Sequence, residues 1–154
     1  MTIDAKLADM GLELPQAAAP VAAYVPYVEH GGMLYISGQL PFRDGQVVTG
    51  RLGVNVDEAT GYDAARRCAL MLLAQIKAAV NGDWSRVEKV VKLGCFVNSA
   101  PDFTDQAKIA NGASDLFQSL FGEAGRHARA AVGVAVLPLA AAVEIDAIIA
   151  VRPA

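Results

Sequence analysis

Two apolar runs close the chain and constrain it more than any other feature. Residues 129–136 read RAAVGVAV and residues 142–151 read AVEIDAIIAV, with Leu-Pro-Leu-Ala between them. Alternation of this kind is the period of a strand with one buried face. In the second run Val143, Ile145, Ala147, Ile149 and Val151 share a face, opposite Ala142, Glu144, Asp146, Ile148 and Ala150. In the first, Ala130, Val132, Val134 and Val136 oppose Arg129, Ala131, Gly133 and Ala135. Placing both valine-rich faces in the core predicts a C-terminal antiparallel hairpin whose other face carries Arg129, Glu144 and Asp146 together. Glu144 then falls opposite Gly133 and Arg129 opposite Ile148, with Asp146 diagonal to Arg129 at about 7 Å between Cβ atoms. The Ala/Gly floor beside these charges is unlike a solvated strand surface, which favours Thr, Lys or Glu, and it predicts a face that meets another subunit.

The rest of the chain supplies the elements that such strands need. Residues 3–12 predict a short helix stopped by Gly11 and Pro15, followed by an Ala/Pro connector over 16–23. YVPYVEH and MLYISGQL, separated by Gly31-Gly32, read as a hairpin, with Pro26 placing the first strand at an edge or a bulge. Residues 43–53 read as a loop turning at Asp44-Gly45. The stripe Ala65, Ala69, Leu72, Leu73, Ile76 and Val80 predicts a helix over 57–80, ended by Asn81-Gly82-Asp83. Residues 86–97 predict a strand with Val87, Val91, Leu93, Cys95 and Val97 on one face. Residues 103–121 predict a second helix that contains an ill-fitting Asn111-Gly112. The order ββαβαββ is an α+β pattern, with two helices on one face of a mixed sheet.

Bulk properties exclude several classes. At 154 residues, 54% hydrophobic and 19% charged, the chain is expected to form a single domain over 1–154, with 1–20 an N-terminal extension. No apolar run is long enough to span a membrane, and the N-terminus lacks the pattern of a secretory signal. Cys68 and Cys95 stand alone, which suits free thiols in the cytoplasm better than disulfides or a metal site. A net charge of −3 with scattered Lys and Arg gives no nucleic-acid footprint.

Four segments in order carry a resemblance: MLYISGQLP at 33–41, VVKLGCFVNSAPDF at 90–103, HARAAVGVAVLP at 127–138 and VEIDAIIAVR at 143–152. Together they resemble the reactive intermediate deaminase A (RidA/YjgF) family, over about Tyr24 to Arg152. The resemblance implies a chorismate-mutase-like fold assembled as a homotrimeric barrel with ligand pockets at the subunit interfaces. It implies hydrolysis of small imines and enamines, of the 2-aminoacrylate or 2-iminobutanoate type, to 2-keto acids and ammonia. No metal or organic cofactor is implied, since an iminium carbon is already electrophilic.

The resemblance also assigns roles. Arg129 matches the arginine that binds the substrate carboxylate, and Glu144 the acid that positions or activates water. Tyr24, Ser37, Gly38 and Asn111 match pocket-lining residues, and Ala131 stands where related chains carry Cys or another small residue. Other readings stay open from the residues alone. Tyr24 also suits a half-buried strand, Ser37-Gly38 a bulge, and Asn111 the N-cap of a helix starting there. His127 reads as a loop or interface histidine. A non-catalytic carboxylate-binding or regulatory protein on the same trimer is the alternative function. An endoribonuclease fits poorly, because the chain is acidic and shows no basic groove.

Overall fold

A computed structural model describes residues 1–19 and 23–154; residues 20–22 of the Ala/Pro connector lie outside it. Five strands build one sheet: β1 (Tyr27–His30), β2 (Met33–Gln39), β5 (Val87–Asn98), β6 (Ala128–Val134) and β7 (Val143–Val151). Their order is β1-β2-β7-β5-β6, with every neighbouring pair antiparallel except β5 and β6. Three helices accompany it: α1 (Ile3–Asp9), α2 (Glu58–Ala79) and α3 (Gln106–Phe121). The 43–53 segment is more ordered than a loop. Its start closes a small hairpin of β3 (Phe42–Arg43) and β4 (Gln46–Val47), turning at Asp44-Gly45 where both residues have positive φ.

Helix α2 begins where Asp57 accepts a hydrogen bond from the Thr60 N–H at 2.7 Å and ends before Asn81-Gly82. Its predicted stripe is buried throughout. Helix α3 starts at Gln106 instead of Phe103, and Phe103 closes a turn with its N–H on the Ala100 carbonyl. Asn111 is therefore inside the helix and is not an N-cap. Gly112 is explained by α2: a β-carbon there would run into the Tyr62 carbonyl oxygen, so the two helices approach too closely for any side chain.

The C-terminal hairpin does not form. Strand β7 inserts between β2 and β5, and β6 takes the edge beyond β5, parallel to it through the crossover helix α3. The segment 135–142 returns across the end of β5 and bonds to residues 48–50: the Gly50 N–H donates to the Ala140 carbonyl and the Ala142 N–H to Val48.

The face assignment holds for β7 and is reversed for β6. Val143, Ile145, Ala147, Ile149 and Val151 are buried under the helices, and Glu144 and Asp146 lie on the opposite face. In β6, however, Arg129 aligns with Leu93, Ala131 with Cys95 and Gly133 with Val97, all partners on the helix side. Val132 is 45% exposed on the other face. The small residues admit α3 close to the edge strand: a β-carbon at Gly133 would meet the side chains of Ser99 and of Gln106, the first residue of α3. In β5 the pairing register shifts between Val90 and Lys92, and Val90 is buried where Val91 was expected.

Among the described residues, one face of the sheet therefore carries the helices and the other carries none. On the open face Val28 and Tyr35 are nearly half exposed, and a concavity of about 510 Å³ is lined by Tyr35, Phe96, Ala130, Asp146 and Ile148 among others. Cys68 and Cys95 are free and buried. Among the described residues no helix is long and apolar enough to cross a membrane.

Candidate functional site

Arg129 leaves the edge strand toward α3 and meets one face of that helix. Its Nη1 donates to Asn111 Oδ1 at 2.9 Å and to Ser114 Oγ at 3.0 Å, and its Nη2 donates to the Ala107 carbonyl at 3.4 Å. Positions 107, 111 and 114 follow the i, i+4, i+7 spacing, so a single helical stripe holds the guanidinium. Both Nη1 hydrogens are thereby used. Among the described residues Nε–H and one Nη2–H have no acceptor, and two N–H groups on neighbouring nitrogens of a planar fork suit a carboxylate. Ala131 lies two residues on along the same face, half-buried against the core.

Just before β6, His127 sits between the same helix and the turn. Its Nδ1 lies 2.6 Å from the Gly125 carbonyl and its Nε2 2.8 Å from Ser114 Oγ. Burial holds the imidazole below its usual pKa; the Arg129 and Lys89 charges act in the same direction, and the Gly125 carbonyl opposes them. Arg129, His127, Ser114, Gln118, Gly125 and Arg126 line a recess of about 190 Å³.

The remaining predicted residues gather elsewhere, around the start of β1, the bulged end of β2 and β7. Ser37 Oγ donates to the Val25 carbonyl at 2.8 Å, beside Tyr24, which is 61% exposed. Gly38 faces Glu144 so closely that a β-carbon there would lie 2.7 Å from Glu144 Oε1. Burial raises the Glu144 pKa, and the Asp146 charge raises it further. Asp146 is also raised by burial, against which the Gly94 backbone N–H and Lys92 act.

The predicted set thus divides into two groups. Arg129, Asn111 and Ala131 lie at the β6–α3 edge; Tyr24, Ser37, Gly38 and Glu144 lie at the β1–β2–β7 side. Arg129 and Glu144 do not share a face, and Asp146 is not diagonal to Arg129. Arg129 aligns with Leu93 and Glu144 with Phe96, on β6 and β7 either side of β5. Two strand spacings and three residues put their Cα atoms about 14 Å apart, with side chains on opposite faces. Within one protomer they cannot grip one small molecule. Sequence reading did not single out Ser114, which stands three residues after Asn111 and was open to a helical-spacing argument; His127 lies in the turn before β6. Among the described residues no three His, Cys, Asp or Glu side chains cluster to hold a metal ion.

The mixed sheet with its helices on one face has the architecture of a known fold class. Residues 4–149 match the family model described as "YjgF/chorismate mutase-like, putative endoribonuclease". The chain belongs to the YjgF/RidA family. It is 54% identical over 149 residues to protein TCP17 of Trypanosoma cruzi, covering 96% of this chain and 92% of that one. It is 30% identical over 143 residues to the 2-iminobutanoate/2-iminopropanoate deaminase of Dermatophagoides farinae, covering 92% of this chain and 95% of that one. The crystal structure of protein Atu1372 from Agrobacterium tumefaciens superposes with a TM-score of 0.92 at 50% identity, covering 97% of this chain and 92% of that one.

Proposed function

We propose that this protein hydrolyses small imines and enamines bearing a carboxylate, releasing 2-keto acids and ammonia, at sites completed between copies of the chain. The observation that carries the reading is the Arg129 guanidinium, anchored by Asn111, Ser114 and Ala107 with one part of its fork unspent. Such a fork orients a planar carboxylate through two charge-assisted hydrogen bonds. The 30% identity to a 2-iminobutanoate/2-iminopropanoate deaminase supports the substrate class.

Completion between copies follows from the division of the site. The uncovered face with Val28, Tyr35 and Val132 and the exposed Tyr24 suit burial against neighbours, and a homotrimer is the closed assembly we assign. One copy then supplies Arg129, Asn111 and Ala131, and its neighbour supplies Tyr24, Ser37, Gly38 and Glu144. With the carboxylate held, Glu144 accepts a proton from water as the oxygen attacks the imine carbon. The imine reacts in its protonated form, so attack leaves a neutral carbinolamine. Glu144 returns its proton to the nitrogen, the C–N bond breaks as the hydroxyl loses its proton to solvent and the C=O bond forms, and ammonia leaves. No metal or organic cofactor is needed, and Ala131 contributes through its backbone, since it carries no thiol. Free buried cysteines suit the cytoplasm.

The test couples an amino acid oxidase, which generates the imine, to 2-keto acid release, comparing wild type with Arg129→Ala. We expect the variant to lose the acceleration; equal rates would remove Arg129 from the site. Saturable binding of a 2-keto acid without any acceleration would instead establish a non-catalytic carboxylate-binding protein. RNA is a poor candidate substrate, because the net charge of −3 offers phosphates no basic groove.

A further inference from the structure

Ser114 and His127 form a directed hydrogen-bond chain behind Arg129. The Gly125 carbonyl can only accept, so the His127 nitrogen 2.6 Å away, Nδ1, carries the proton. In the neutral imidazole Nε2 is then an acceptor, and Ser114, 2.8 Å away, must donate its hydroxyl hydrogen to it. The guanidinium can only donate, so the Ser114 oxygen also accepts from Arg129 Nη1 at 3.0 Å. Every hydrogen in the chain has one destination. We infer that Ser114 and His127 are positioning residues: neutral His127 fixes the Ser114 hydroxyl, Ser114 fixes the Arg129 fork, and carboxylate binding is thereby coupled to protonation of His127. This rests on the reading of Arg129 as a carboxylate anchor.

The direction of the coupling follows from the charges that face His127. Arg129 on β6 and Lys89 on β5 are cations. In the turn beside it, Arg126 is paired with Glu123 at 3.6 Å, both well exposed, and α3 presents the uncharged Ser114, Gln118 and the edge of Phe117. The nearby charge is therefore mostly positive, and burial reinforces its effect on the imidazole. A carboxylate bound at Arg129 offsets that repulsion and makes protonation of His127 easier. Linkage then requires the converse, that protonated His127 binds the carboxylate more tightly. On protonation Nε2–H donates to Ser114, which accepts twice, and its hydroxyl hydrogen becomes free to bond the bound carboxylate.

The experiment uses 2-oxobutanoate as the probe, ionised throughout the range studied, with affinity measured between about pH 5 and 8. The chain has two histidines, so the imidazole protons of His127 are followed by NMR with His30 as internal control. In wild type we expect about a tenfold gain in affinity as pH falls, with the His127 pKa rising when the probe is added. His127→Gln keeps an acceptor for Ser114 but cannot titrate; it should bind as wild type near pH 8 and lose the gain. Subtracting its profile also removes any contribution from Glu144. Ser114→Ala should bind about tenfold more weakly at every pH, and Ser114→Thr should restore binding. A His127→Gln profile as steep as wild type, or Ser114→Ala binding as wild type, overturns the inference while leaving Arg129 as anchor. Unchanged binding by Arg129→Ala overturns both.

Discussion

Gly38→Ala tests the half of the site proposed to activate water, without removing any of its functional groups. The added β-carbon would stand 2.7 Å from Glu144 Oε1, 2.9 Å from its Cδ and 3.1 Å from its Cγ. Ordinary carbon contacts lie at about 3.5–4.0 Å, so the carboxylate must move by about 1 Å. The obstructing atoms are the far end of a flexible side chain, and Gly38 does not have positive φ, so folding should change by no more than about 1 kcal/mol. A displacement of about 1 Å at a reacting group can cost as much as a hundredfold in rate. We therefore expect kcat in the oxidase-coupled assay to fall about ten- to a hundredfold, with the thermal midpoint nearly unchanged. In a Glu144→Gln background the same substitution should cost almost nothing further, because the group it displaces no longer acts. Undiminished activity in Gly38→Ala, or the same fold loss in both backgrounds, would refute the role given to Glu144.

Other outcomes follow from the same geometry. Gly112→Ala drives a β-carbon into the Tyr62 carbonyl, a backbone atom that cannot swing aside, and should cost about 3 kcal/mol or more by urea denaturation. For His127, burial lowers the folded-state pKa, so the unfolded chain takes up the proton first as pH falls. This share of stability is full above about pH 6.5 and is lost below it, and His127→Gln should show a smaller loss between about pH 7 and 5. The Asp146 charge helps raise the Glu144 pKa, so Asp146→Asn should move the acid limb of the kcat profile to lower pH.

Alternation made the strands legible, because a period of two survives any arrangement of neighbours. It could not decide which strands pair. β7 and β6 are consecutive in sequence, yet the crossover through α3 places β6 at the far edge. The same gap reversed the face of β6. Valines against alanines looks like inside against outside, whereas Ala131 packs against the core and Gly133 leaves room for the Ser99 and Gln106 side chains. Gly112 belongs to the same lesson: an unfavourable helix residue reports close approach of another helix. At the site, Arg129 with Asn111 was reached through family resemblance and now has a hydrogen bond behind it. Ser114 was legible in principle from its spacing to Asn111. The separation of Arg129 from Glu144 was not, since it depends on which strand lies between them.

The central claim is that Arg129 of one copy and Glu144 of another build one catalytic site. Mixing separately purified Arg129→Ala and Glu144→Ala proteins, with unfolding and refolding together to exchange subunits, tests it most directly. Random reassembly gives each site an intact arginine half and an intact glutamate half with a probability of about one quarter. The claim predicts two nearly inactive parents and recovery of about a quarter of wild-type 2-keto acid release in the mixture. A mixture as inactive as its parents, despite demonstrated subunit exchange, would contradict it.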